Sequence, residues 1–155
     1  MTDDTLLARE AGNSSDIDDD IFDAIDDAIG NLADDFILWV RESLDDTLKS
    51  LDAVEEEPDG RLETAQGFYT VMHDVKGQAG TFGFALLAEV GESLCAYLQG
   101  IEKPPTEGQL GVLKLHATAA RFIVERNLKG TDGRICEQFR ARRDALIEQV
   151  GRPAA

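Results

Sequence analysis

The chain has 155 residues, of which 43% are hydrophobic, 30% charged and only 6% aromatic, a composition that supports one core-bearing domain and favours helices over strands. Its formal net charge of -16 is lopsided: residues 1–60 carry 20 acidic and three basic side chains, net -17, while residues 61–155 carry 11 and 12, net +1. A polyanionic half repels phosphate backbones and anionic lipid headgroups, so neither nucleic acid nor a membrane is an expected partner, and the default role of the acid is a solvated face.

Residues 1–15 lack periodic hydrophobicity and are expected to form a mobile tail. Met1 is followed by Thr2, Asp3 and Asp4 rather than a basic segment, and no apolar run approaches the ~18 residues of a membrane span, so a cytoplasmic location is expected. A domain over residues 16–150 follows, with a short C-terminal tail over 151–155.

Ile17, Ile21, Phe22, Ile25 and Ile29 recur at spacings of three and four with aspartates between them, predicting a short acidic amphipathic helix that stops at Gly30. Asn31 is placed to cap a second helix, whose stripe runs from Leu32 through Phe36, Trp39, Val40, Leu44, Leu48 and Leu51 to Val54. Glu55-Glu56-Glu57-Pro58-Asp59-Gly60 breaks that helix.

Further helices are predicted over about 61–79 and 84–98, separated by Gly80-Thr81-Phe82-Gly83, and over about 109–128 and 134–150 beyond a loop at 100–108 containing Pro104-Pro105. The stretch 129–133 reads either as a turn or as a kink in one long arm. Short connections favour antiparallel neighbours, so the expected fold is all-α, an up-down antiparallel four-helix bundle with an additional short N-terminal helix. Cys95 and Cys136 each sit alone in an apolar pattern and read as buried free thiols rather than metal or redox ligands.

The informative segment is Met72-His73-Asp74-Val75-Lys76-Gly77-Gln78-Ala79-Gly80-Thr81-Phe82-Gly83. At about 100° per residue, Leu62, Ala65, Phe68, Tyr69, Met72, Val75 and Ala79 share one apolar sector and His73 lies roughly 115° from its centre, facing outward. Lys76 and Gly77 then stand beside the imidazole one turn later, with Gly80 on the same strip. A neutral imidazole is a nitrogen nucleophile near physiological pH, and a lysine point charge stabilises the negative charge a phosphoryl group brings. A helical glycine costs on the order of 1 kcal/mol relative to alanine, so two of them near one histidine call for a reason such as close approach of another molecule.

This pattern resembles the histidine-containing phosphotransfer (HPt) domain family, whose signature is H-x-x-K-G with a further glycine six residues on, here His73, Lys76, Gly77 and Gly83. The similarity extends over roughly Phe36 to Gln99 and includes Leu86, Leu87, Gly91, Leu94, Cys95 and Leu98. The resemblance implies a four-helix core with His73, the phosphoacceptor, exposed on its second helix, Lys76 holding the phosphoryl group and Gly77 giving steric access, with Gly80 and Gly83 keeping the strip bare. Gln78 departs from the small residue usual next to that glycine and is a candidate hydrogen-bond donor to phosphate or imidazole. Tyr69, Thr70, Gly80 and Phe84 are candidate docking residues.

Within this resemblance the partners are response-regulator receiver domains and a histidine kinase or hybrid kinase. The divalent metal of the transfer comes from the receiver, and this chain carries neither cofactor nor metal site. No P-loop and no GxGxxG occurs, so the chain is expected to be a phosphoryl carrier and not an enzyme that uses ATP. Two alternatives stay open: a noncatalytic helical adaptor that binds or sequesters receivers, and a phosphotransfer segment of a larger kinase, against which the Met1 start argues. Asp74 points about 100° away from His73 and reads as solvated, and His116, with Ala119 and Ala120 where a lysine and glycine would be needed, reads as structural.

Overall fold

A computed structural model describes residues 2–130 and 133–154, with side chains from residue 16 onward, so the tail expected over 1–15 lies outside the residues described with side chains. Among the described residues the chain is all-helical: α1 (Thr2–Ala53), α2 (Arg61–Ala79), α3 (Ala85–Leu98), α4 (Glu107–Glu125) and α5 (Arg134–Val150), with a single 3-10 turn at Pro58–Gly60. The polypeptide divides into two compact units, residues 1–36 and 37–155.

The expected break at Gly30 is absent, because α1 continues through Gly30 and Asn31 without interruption. Glycine ends a helix by adopting a left-handed conformation, and Gly30 does not do so. Held in a right-handed turn between good helix formers, a lone glycine only weakens the helix by about 1 kcal/mol. The short first helix and the second are therefore one element.

In the second unit, the C-terminal part of α1 contributes Val40, Leu44 and Leu51 to a core completed by Phe68, Met72 and Val75 of α2, Leu87, Val90 and Leu94 of α3, and Leu110, Leu113 and Ala117 of α4. The end of α1 is tied down by Arg61, a buried side chain whose Nε donates to the Val54 carbonyl at 2.9 Å and whose guanidinium also reaches the Glu55 carbonyl, satisfying acceptors that a helix terminus leaves open. Lys114 of α4 pairs with Asp52 and Glu55, and Arg121 with Asp45.

Helix α4 starts at a capping box: Thr106 Oγ1 accepts from the Gln109 N–H at 3.2 Å, and Gln109 Oε1 accepts from the Thr106 N–H at 2.9 Å. The stretch after α4 is a genuine break rather than a kink. Asn127 takes a left-handed φ of 54° and Gly133 a φ of 109°, so the ladder stops on both sides. Helix α5 then packs on α4, close enough that a β-carbon at Gly108 would meet Val150 Cγ1 at 2.8 Å.

Arg140 of α5 grips Glu89 of α3 through two bonds of 2.9 and 2.7 Å, and that guanidinium holds the Glu89 carboxyl below its ordinary range. The segment after Val150 leaves the helix but stays attached. Tyr97 Oη donates to the Gly151 carbonyl at 2.6 Å, and the Ala154 carbonyl accepts from Glu102 and Lys103. Burial pushes the Tyr97 phenol up to about 12. Cys95 and Cys136 are both buried. No helix among the described residues is long and apolar enough to cross a membrane.

Candidate functional site

Helix α2 buries Ala65, Phe68, Met72, Val75 and Ala79 and leaves His73, Asp74, Gly77 and Gln78 exposed, the division that its 3.6-residue period dictates. The His73 side chain is 60% exposed. Its ring is stacked over Tyr69 one turn earlier, with centroids 6.2 Å apart and planes inclined by 24°. Tyr69 is half-buried, and its carbonyl accepts from the Cys95 Sγ–H of α3 at 3.9 Å. His73 Nδ1 lies 3.9 Å from Asp74 Oδ1, an exposed pair that water screens. Asp74 is thus nearer the ring than helical spacing suggests, without bonding to it.

Lys76 is half-buried and anchored from below. The α3 residue Gly91 packs so closely that a β-carbon there would come within 3.1 Å of Lys76 Cβ and 3.1 Å of the Met72 carbonyl oxygen. The base of the lysine stem is thereby packed against α3, and the helical register puts Lys76 one turn beyond His73. Buried Cys95 lies close by, and its thiol is pushed up by burial, which leaves it inert rather than nucleophilic.

A β-carbon at Gly77 or at Gly80 would meet nothing within 4 Å. Neither glycine is demanded by the packing of this chain, and both are exposed beside the imidazole. Gly83 is different: its φ of 81° lies where only glycine is comfortable, and it turns the chain from α2 into α3, with the Phe84 N–H donating to the Ala79 carbonyl at 2.9 Å. Its place in the pattern is a turn requirement rather than steric access.

The docking candidates separate. Thr70 is exposed, its hydroxyl donating to the Gln66 carbonyl at 3.2 Å, and it extends the strip one turn before His73. Phe84 is fully buried and offers no side-chain surface to a partner. The turn at Gly83 points it into the core, where its outer face is covered by Lys129 with Nζ 3.8 Å from the ring centroid. The same ammonium donates to the Phe82 carbonyl at 2.8 Å, so a side chain from the segment after α4 clamps the α2–α3 turn.

Gly91 and Lys129 are the residues that sequence reasoning passed over as parts of the site. Gly91 enters the sequence reading only as part of the resemblance in the following helix, with no role at the site, whereas the Lys129 contact spans 47 residues and leaves no trace in local sequence.

His116 of α4 is completely buried. Its Nδ1–H donates to the Val112 carbonyl at 2.8 Å, which leaves Nε2 as the acceptor for the Ser93 hydroxyl at 2.8 Å, and Phe139 packs edge-on against the ring. Burial depresses its pKa to about 4, so it is a neutral structural histidine. Among the described residues no group of three or more His, Cys, Asp or Glu side chains gathers into a metal cage. Compared with protein-family models, curated proteins and solved structures, the chain matches none.

Proposed function

We propose that this protein is a cytoplasmic histidine phosphotransfer protein, an HPt domain with an up-down four-helix core, that accepts a phosphoryl group on His73 and exchanges it with aspartates of receiver domains. The observation that carries the reading is the exposed imidazole beside Lys76 and Gly77, a helical glycine for which no contact within the chain accounts. An intermolecular reason for the bare surface then remains.

The His73 side chain is 60% exposed and makes no hydrogen bond to Asp74, so a neutral imidazole there can present Nε2 to a partner. In the transfer step Nε2 attacks the phosphorus of an aspartyl phosphate on the partner. The N–P bond forms, the P–O bond to the aspartate breaks, and the aspartate leaves as a carboxylate. Tyr69 limits the swing of the ring, Lys76 offsets charge on the phosphoryl oxygens, and Gly77 and Gly80 let the partner's loops approach. The acceptor or donor aspartate and its divalent metal belong to the receiver, as positioning-dominated phosphoryl transfer requires. Phosphoryl groups enter the relay through a histidine kinase or hybrid kinase.

Incubation with a receiver domain carrying radiolabelled aspartyl phosphate tests this reading. Label is expected on the wild-type chain, stable to alkali and labile to acid as a phosphoramidate is, and absent from His73→Gln. A chain that binds receivers equally well in both forms and takes up no label is an adaptor, and the relay reading is then wrong.

A further inference from the structure

The most conspicuous feature that phosphotransfer leaves unused is a row of large apolar side chains in the first unit. Ile21, Phe22, Ile25, Ile29 and Leu32 of α1 are each between 46% and 64% exposed, in a chain whose other large apolar residues are mostly buried. On a helical wheel they occupy a sector about 100° wide, with the carboxylates Asp19, Asp20, Asp23 and Asp27 about 110° or more from its centre and Asp26 on its flank at about 90°. The seam has defined ends. Asp18 falls on its line at the top, and Phe36, the next position in the spacing, is buried. An exposed apolar strip of this kind marks an interface rather than a solvated face.

We propose that a second copy of this chain covers it, the two α1 helices pairing in parallel and in register through Phe22, Ile25, Ile29 and Leu32. Those four alternate at spacings of three and four, the heptad arrangement of a two-stranded coiled coil. The charges single out this occupant. In a parallel pair the flanking positions juxtapose Ile21 with Asp26 and Ala28 with Ala33, so between Phe22 and Leu32 no two carboxylates face one another; the opposed pair is Asp18 with its counterpart, where the seam ends. A cationic partner helix gains little from carboxylates on the far side. The pairing is short, about 18 Å of helix, and each copy carries a net charge of -16, so it is a weak dimer that tightens as salt screens the repulsion. None of this depends on His73.

Sedimentation velocity on the full chain, from low micromolar to near-millimolar concentration, is expected to show a monomer–dimer equilibrium whose association strengthens between low and high salt. Ile25→Asp combined with Ile29→Asp is expected to weaken association at least about tenfold, since each dimer loses four buried apolar side chains, while the helical circular dichroism and the thermal midpoint of the bundle stay unchanged. Asp23→Asn with Asp27→Asn leaves association unchanged or tighter. Ile29→Cys is expected to yield a disulfide-linked dimer under mild oxidation, where wild type, with its cysteines buried, does not. A monomer at every concentration and salt, a dimer indifferent to the Ile25/Ile29 double substitution, or an Ile29→Cys chain that fails to cross-link overturns the proposal. The first result hands the seam to the chain's own bundle or to a different protein.

Discussion

Gly91 on α3 and Lys76 on α2 meet so closely that a β-carbon at residue 91 would stand 3.1 Å from both Lys76 Cβ and the Met72 carbonyl oxygen, tighter than ordinary van der Waals contact. The atoms in the way are backbone and the first carbon of a side chain, neither of which can swing aside. Gly91→Ala is therefore expected to force α3 away from α2. The gain in helix propensity is about 0.5–1 kcal/mol and the overpacking cost about 1–3 kcal/mol, so a net loss of about 1 kcal/mol is expected, read as a fall of a few degrees in the thermal midpoint. Because the displaced residue is Lys76, the phosphotransfer rate falls by more than the loss of folded protein explains. An alanine at 91 that raises the midpoint and leaves transfer untouched would contradict the close approach.

Gly77 gives the opposite pairing of effects. Its β-carbon direction is open space, so alanine there adds helix propensity at no steric cost within the chain. Gly77→Ala is expected to stabilise the fold by about 0.5–1 kcal/mol in urea denaturation. If the glycine keeps the imidazole accessible, the same substitution slows transfer from a phosphorylated receiver, more so for Gly77→Val. A more stable protein that transfers at the wild-type rate would remove the reason for a bare surface beside His73.

These two glycines show what a sequence discloses. The period of α2, its ends at Arg61 and Ala79 and the outward direction of His73 follow from spacing alone, because an amphipathic helix must turn its apolar side to a core. The helices over 85–98 and 134–150 were legible for the same reason. Gly30 misled because a glycine is a stop only in a left-handed conformation, and the neighbouring turns decide that. Phe84 misled because its position depends on how the Gly83 turn is aimed, which the Lys129 clamp from a distant segment helps to fix. The spacing places Lys76 on the right face, but only contact with Gly91 reveals how its stem is held.

The stacking of Tyr69 on His73 separates two roles for the tyrosine. If the ring acts as a flat stop for the imidazole, Tyr69→Phe keeps the transfer rate and Tyr69→Ala lowers it several-fold, with receiver binding little changed in either. If the phenol itself touches the partner, Tyr69→Phe weakens binding measured by titration calorimetry. The half-buried setting of Tyr69 against α3 leads us to expect the first pattern, with Tyr69→Ala also losing about 1–3 kcal/mol of stability from the packing it vacates.

His116 sets how the fold responds to acid. Its folded-state pKa is depressed to about 4 from an ordinary 6.5, chiefly because burial disfavours the imidazolium, while the Val112 carbonyl at Nδ1 works in the other direction and Arg143 of α5 adds repulsion. Between those two values the unfolded chain binds a proton that the folded chain refuses. Stability from this residue is therefore complete above pH 6.5, declines as the pH falls toward 4, and levels off below, a total of about 3 kcal/mol. The Ser93 hydroxyl donates into Nε2, so a protonated ring would also lose that bond. Urea midpoints measured at pH 7.5 and pH 5 should drop for wild type, whereas His116→Gln, less stable at neutral pH, should show a smaller drop over the same interval. Glu89, held by Arg140, adds to the acid loss only further down: a carboxyl held below its ordinary value of 4.5 contributes its stability above that pH and loses it as the pH falls below it. Equal acid sensitivity in wild type and His116→Gln would place the responsible group elsewhere.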